Sequence, residues 1–281
     1  MIHLSFFHAV TLAIIQGIAE LFPISSLAHG VIVPALLNWH INRQSEGFLP
    51  FLVVLHLGTA FALIVYFYKD WIKLFKGFFV GLKNKNLNIN EDSKTLYLIA
   101  LATIPAGLIG LLFVHEIKRL FGYTEVAAAF LMLNGVILYF GEKKRKKQGI
   151  AKISDMTVSA ALIIGAFQSF ALIPGISRSA ITMIAALYLG FKHEYAARFS
   201  FLLAAPIILA AGLLEVPKMI KLHMLQFDAV SAVAGLAAAV AAYLSVYVLM
   251  KYFKKHEINA LYPFALYCIV LGAFVLTYRF I

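Results

Sequence analysis

A carboxylate, a hydroxyl, an imidazole and a guanidinium stand inside stretches of otherwise apolar sequence: Glu20, Ser26, His29 and Arg178. The first three fall in Gln16-Gly-Ile-Ala-Glu20-Leu-Phe-Pro23-Ile-Ser25-Ser26-Leu-Ala-His29, the fourth in Pro174-Gly175-Ile-Ser177-Arg178-Ser179. Ionisable groups at membrane depth are costly, so they mark function by default. Gln16 and Glu20, four apart, share one helical face. Pro23 ends that helix, and Ser25 or Ser26 is placed to cap the next. Ser177 does the same after Pro174-Gly175. Two helix N-termini that converge make an anion site suited to phosphate. Arg178 adds a forked, permanent cation that grips phosphate oxygens bidentately. His29, three residues after Ser26 on the same face, supplies the base that activating a serine requires. Taken singly, a serine bonded to its own backbone or a structural Glu20–Arg178 pair is the blander reading; together they favour an anion-handling site. His56, inside an apolar run, could hydrogen-bond near the site, with a satisfied packing role the commoner reading, and Glu194 with Arg198 reads as a helix-end pair.

These groups need a membrane scaffold. The chain is 62% hydrophobic with a mean hydropathy of +0.89, well above soluble domains. The runs are continuous rather than alternating, which selects helices over a β-barrel. The fold class expected is all-α, a polytopic membrane protein with about six spans, near 48–68, 95–114, 123–141, 198–215, 227–250 and 260–280. Residues 4–37 and 157–190 are too long for one span and short for two, and each breaks in its middle. Each is expected to be a re-entrant helix pair. Gln16, Pro23, Ser25 and Ser26 parallel Gln168, Pro174, Ser177 and Ser179, so the single membrane domain divides into repeats of about 1–141 and 155–281 joined by a basic linker, 142–154.

With that topology most basic residues fall on one face: those from Lys69 to Lys94, from Lys143 to Lys152, Lys192 with Arg198, and Lys251 to Lys255. Arg43, Lys118, Arg119, Lys218, Lys221 and Arg279 fall opposite. The positive-inside rule makes the first face cytoplasmic and both termini external, so the hairpins enter from opposite sides. The formal charge of +11 is then a topology signal rather than a nucleic-acid footprint, and no zinc-finger or RNA-binding signature accompanies it. The run Lys143–Lys147 reads as a contact for anionic lipid, and Asp70–Lys83 as a helix at the cytoplasmic interface. The lone cysteine, Cys268, excludes an intrachain disulfide. Residues 1–20 carry no Lys or Arg, so they read as membrane domain rather than as a signal peptide.

At these two motifs the chain resembles the undecaprenyl-diphosphate phosphatases of the bacitracin-resistance protein family, and the likeness extends through Ala196–Pro206. The resemblance implies inverted repeats with two re-entrant pairs, and hydrolysis of a C55 polyprenyl diphosphate to its monophosphate. That reaction recycles the lipid carrier of cell-wall synthesis in the bacterial cytoplasmic membrane, at a site near the midplane and open to the outer face. By position it implies Ser26 as nucleophile, His29 as base or proton shuttle, and Arg178 as diphosphate clamp, with Gln16, Ser25, Ser177 and Ser179 lining the substrate site. Glu20 would orient His29 or hold a divalent cation, Mg²⁺ by expectation. The partners implied are the lipid substrate and membrane lipids; a homodimer is left open. Gln16 stands where many members have Glu, which removes a carboxylate from any metal site. Ala19 and Leu27 replace commoner Thr and Ser/Thr. Ala28 and Ala180 replace commoner Gly, which matters where the backbone needs φ > 0 or close approach to phosphate.

Two other functions compete with hydrolysis. Broken helices in inverted repeats are also transporter architecture, but a carrier needs the anion clamp and no nucleophile. Phosphatases of the phosphatidic-acid type need a histidine soon after the arginine, and none follows Arg178 before His193.

Overall fold

Each apolar run folds as a helix, and both interrupted segments fold as helix–break–helix. The computed structural model describes residues 5–39, 48–120, 122–144, 149–221 and 229–280. Arg43 and residues 145–148, the centre of the basic run, lie outside them. In chain order the helices are α1 (Phe6–Ala19), α2 (Ser26–Leu36), α3 (Phe48–Tyr66), α4 (Tyr68–Lys83), α5 (Glu91–Leu112), α6 (Val114–Leu120), α7 (Thr124–Lys144), α8 (Val158–Gln168), α9 (Arg178–Tyr188), α10 (His193–Lys221), α11 (Ala229–Lys255) and α12 (Tyr262–Phe280).

Among the described residues α5, α7, α10 and α11 are long and apolar enough to cross a bilayer, and α3 with α4 adds a fifth candidate span, bent by 76°. The sixth expected span, α12, is a shorter apolar helix packed along α7. The bend after α3 swings α4 out of line. It pairs an apolar set that includes buried Leu74 with Lys73 and Lys76, as an interfacial helix does. Large apolar side chains such as Leu112, Leu213, Leu236 and Val270 are exposed, the arrangement that lipid rather than water accommodates. The chain is a multi-pass membrane protein.

Small residues let the helices meet backbone to backbone, the packing mode available where lipid removes the hydrophobic drive between helices. Gly17 of α1 is an example: a Cβ there would sit 2.4 Å from the Ala238 carbonyl of α11. The short hairpins are held inside the bundle by the long helices. α1 packs on α11 and α8 on α5, while α2 and α9 both contact α7. The two breaks therefore meet against the middle of α7, around Asn134.

Candidate functional site

The first break is built from residues 20–25. Glu20 sits at the C-cap of α1, its N–H donating to the Gln16 carbonyl at 2.9 Å. The chain then turns, and Ser25 adopts φ = 66°, a left-handed conformation that a non-glycine residue holds at a cost. Its hydroxyl accepts from the Ala28 N–H at 3.4 Å and caps α2. His29 secures this strained point. Its Nδ1 lies 2.7 Å from the Ser25 carbonyl, and its Nε2 lies 2.7 Å from the Tyr267 hydroxyl on α12. A carbonyl only accepts, so Nδ1 carries the proton and, in the neutral ring, Nε2 accepts from Tyr267.

The second break turns at Gly175, with φ = 110°; a Cβ there would lie 2.4 Å from Phe130 Cβ and 2.7 Å from the Ala127 carbonyl. Only glycine meets both conditions. Ser177 caps α9, its hydroxyl accepting from the Ala180 N–H at 3.3 Å. Asn134 joins the two breaks: its Nδ2 donates to the Pro23 carbonyl at 3.0 Å, and its Oδ1 accepts from the Ser177 N–H at 2.9 Å. Ser179 makes a second tie, donating to the Phe22 carbonyl at 3.3 Å and lying 3.0 Å from the Ser177 hydroxyl.

Glu20 is the hub of the polar contacts at the breaks. The Ser26 hydroxyl donates to its Oε2 at 2.5 Å, and the Gln16 amide donates to the same oxygen at 3.2 Å. His56 Nε2, from α3, lies 3.4 Å from that oxygen, and Arg178 Nη2 lies 3.4 Å from Oε1. His56 Nδ1 is held by the Leu52 carbonyl at 2.8 Å. Arg178 is anchored by Nη1 on the Ser200 carbonyl of α10 at 3.0 Å, while its buried Nε has no protein partner. The guanidinium is thus fixed at one corner. Its Nε/Nη2 edge, the edge that takes two phosphate oxygens at once, is held only by the long contact to Glu20.

These groups line the polar end of a cavity of ≈ 470 Å³. Glu20, Ser25, Ser26, His56, Gln168, Ser177 and Arg178 contribute there. The remainder is apolar, between Ala106, Gly107 and Gly110 of α5 and the stretch Ile207–Leu214 of α10, and reaches Glu215 and Lys218. From Ile207 to Lys218 the α10 wall runs about 17 Å at the helical rise per residue. Ser26 and Leu27 at the start of α2 and Ser177 and Arg178 at the start of α9 line this same cavity, and apart from the Ala28 and Ala180 N–H groups that the cap hydroxyls take, first-turn N–H groups lack intrahelical partners. A site with a short polar floor and a long apolar wall accommodates an anionic head on an apolar tail.

The expected residues are thus assembled, but with different neighbours. Ser26 is bonded to Glu20 rather than to His29, whose two ring nitrogens are engaged by Ser25 and Tyr267. The histidine that reaches Glu20 is His56, for which packing is the commoner reading from sequence. Gln16, His29 and Ser179 are outside the cavity wall; Gln16 holds Glu20, His29 holds Ser25, and Ser179 ties the hairpins together. Ala28 and Ala180 lie in the first turns of α2 and α9 and are not among the positive-φ residues, so the backbone conformation at neither position demands glycine. Asn134 carried no signal in the sequence, because a single polar residue on a long apolar helix names no partner. Among the described residues no three His, Cys, Asp or Glu side chains are grouped to hold a metal. The one carboxylate at the cavity floor fits only the mode in which Mg²⁺ takes one protein carboxylate and completes its shell with phosphate oxygens and water.

Comparison with known proteins agrees with this geometry. Residues 9–274 match the family described as bacitracin resistance protein BacA. Over 97% of its length the chain is 45% identical to undecaprenyl-diphosphatase 2 of Chromobacterium violaceum, covering 98% of that protein. It is 44% identical to undecaprenyl-diphosphatase 2 of Oenococcus oeni over 97% of the chain and 98% of the relative. The undecaprenyl-diphosphatase of Gluconacetobacter diazotrophicus is 46% identical over 94% of each chain. Match and identity extend over nearly the whole sequence, both breaks included, and the chain belongs to the bacitracin-resistance BacA family.

Proposed function

We propose that the protein hydrolyses a polyprenyl diphosphate, undecaprenyl diphosphate by its kinship, to the monophosphate and inorganic phosphate. The observation that carries this is the Ser26 hydroxyl, 2.5 Å from the Glu20 carboxylate whose other oxygen meets Arg178 at 3.4 Å, on the floor of an apolar cavity. Arg178 and the N-termini of α2 and α9 bind the diphosphate. The Ser26 oxygen attacks the terminal phosphorus and its proton passes to Glu20. The anhydride P–O bond breaks, and the prenyl monophosphate leaves with the bonding electron pair. Water then cleaves the phosphoserine and releases inorganic phosphate. Positioning and charge neutralisation supply most of the catalysis in such transfers. His56, beside Glu20, carries a proton to or from it. His29 acts as a positioning residue that keeps Ser25 in its strained conformation. Mg²⁺ accompanying the diphosphate would be held by Glu20 and would add charge neutralisation.

The chain acts in the bacterial cytoplasmic membrane, where this hydrolysis recycles the carrier lipid of cell-wall synthesis and confers bacitracin resistance. Charge asymmetry supports external termini and a cavity open to the outer face, because the cavity follows the C-terminal ends of α5 and α10. Reciprocal packing of α1 on α11 and α8 on α5 supports two inverted repeats. A carrier without hydrolysis has no need of the Ser26–Glu20 contact.

The test is phosphate release from farnesyl and undecaprenyl diphosphate by protein purified in detergent. Wild type should turn over, and Ser26→Ala should lose at least roughly 10³-fold in kcat, as removal of a nucleophile does. Full activity in Ser26→Ala would remove the serine mechanism. No release by wild type from either lipid would sink hydrolysis and leave transport.

A further inference from the structure

Gln168 is the side chain at this cavity that the mechanism above leaves idle. It ends α8, is 2% exposed, lines the polar end, and neither Nε2 nor Oε1 finds a hydrogen-bond partner in the protein. Buried amides are almost always bonded, and an orphan in a native structure calls for an explanation. The sequence supplies one. In the first hairpin Gln16 stands four residues before Glu20 and donates to its carboxylate. In the second, the residue four after Gln168 is Leu172, which offers nothing to bond. The hairpin that holds the guanidinium therefore keeps its glutamine open toward the cavity, where the first uses its glutamine to hold the base.

We propose that Gln168 is a substrate-contacting residue whose Nε2 donates to an oxygen of the bound diphosphate, on the same floor as the Nε/Nη2 edge of Arg178. The inference rests on the polyprenyl-diphosphate reading of the site. A neutral donor suits the position. It satisfies one of the many acceptor lone pairs of the diphosphate without competing for Glu20, and it leaves Oε1 to accept from water as the head group enters.

The variants Gln168→Leu and Gln168→Glu, assayed with farnesyl diphosphate, decide it. A side chain that waits for substrate contributes nothing to the empty protein. Gln168→Leu should therefore melt at or above the wild-type temperature while kcat/KM falls by about 10- to 100-fold, the loss of one hydrogen bond to a charged group. Gln168→Glu should lose about tenfold more, because it sets a carboxylate against phosphate. A kcat/KM within threefold of wild type in Gln168→Leu overturns the proposal. So does a drop in melting temperature that parallels the drop in activity, which is what a packing role produces. Should wild type release no phosphate, hydrolysis fails on its own. The contact is then judged by the rise in melting temperature that farnesyl diphosphate gives: a smaller rise in Gln168→Leu than in wild type upholds it, and equal rises overturn it.

Discussion

Replacing Arg178 by lysine isolates the part of its function that geometry, rather than charge, provides. The guanidinium is fixed at Nη1 by the Ser200 carbonyl, which leaves Nε and Nη2 side by side for two phosphate oxygens. Lysine preserves the positive charge but offers a point contact on a flexible stem, without the fork. Hydrogen bonds to charged groups contribute about 1.5–3 kcal/mol each, so alanine, which loses both, should cost about 3–6 kcal/mol of transition-state stabilisation. At about 1.4 kcal/mol per tenfold, that is a loss of roughly 10²–10⁴ in kcat/KM. Lysine should recover one contact and fall between wild type and alanine, down by about 10- to 100-fold. The assay is initial-rate phosphate release from farnesyl diphosphate across a substrate range, with the melting temperature measured alongside. Removing the guanidinium also leaves Glu20 without its cationic neighbour, and alanine should lower the melting temperature while lysine largely preserves it. An Arg178→Lys enzyme within threefold of wild type in kcat/KM would refute the bidentate argument, because only the fork distinguishes the two side chains.

Two further substitutions address the metal and the scaffold. Gln16→Glu places a second carboxylate one turn from Glu20, so the Mg²⁺ concentration for half-maximal phosphate release should fall by about tenfold relative to wild type, one more hard oxygen ligand being available; an unchanged Mg²⁺ titration would show that Glu20 does not meet the ion. Asn134→Leu removes both hydrogen bonds of the bridge, leaving the buried Ser177 N–H without its partner and the Pro23 carbonyl with only the weak Cys268 thiol contact at 3.9 Å. At about 1–3 kcal/mol per orphaned group, it should destabilise the protein by about 2–6 kcal/mol, read as a lowered melting temperature, and reduce kcat with it; an unaltered melting temperature would show that the two breaks do not depend on Asn134.

The helices were legible because lipid imposes so few solutions on a chain. Continuous apolar runs must become helices, and a run that breaks at Pro23 or at Pro174-Gly175 must bury that break against protein. Length alone therefore separated the two hairpins from the spans. α9 begins at the cap expected from Ser177, and of the two caps offered for α2, Ser25 or Ser26, the structure takes Ser25. The change from span to interfacial helix was legible, but the 76° angle between α3 and α4 was not. Phe48–Tyr68 and the amphipathic stretch beyond it are both good helices, and no proline or glycine marks the join at Phe67. Packing decides it: Gly77 and Gly81 let α4 lie close against Asp92 and Ser93 at the start of α5, which a straight continuation of α3 would forgo.

Within the site, sequence spacing paired Ser26 with His29, and the structure gives that hydroxyl a different partner, Glu20. Ser26 and His29 do share a helical face, but a shared face fixes only a direction, and at the start of a helix the backbone competes for the same imidazole. The Ser25 carbonyl, offered by a residue at φ = 66°, captures Nδ1, and Tyr267, 238 residues away in sequence, captures Nε2. What then reaches Ser26 is set by the turn that precedes it, which folds Glu20 back over α2 and brings His56 across from α3. Neither approach has a period that a one-dimensional reading detects. The same logic separates the two glutamines. Gln16 and Gln168 match in the sequence and both are buried, yet one holds the base through a carboxylate one turn on while the other has Leu172 there. A repeat that duplicates a scaffold need not duplicate its chemistry. On the proposed mechanism the first hairpin carries the acid–base groups and the second the anion clamp, and both hairpins are held to α7.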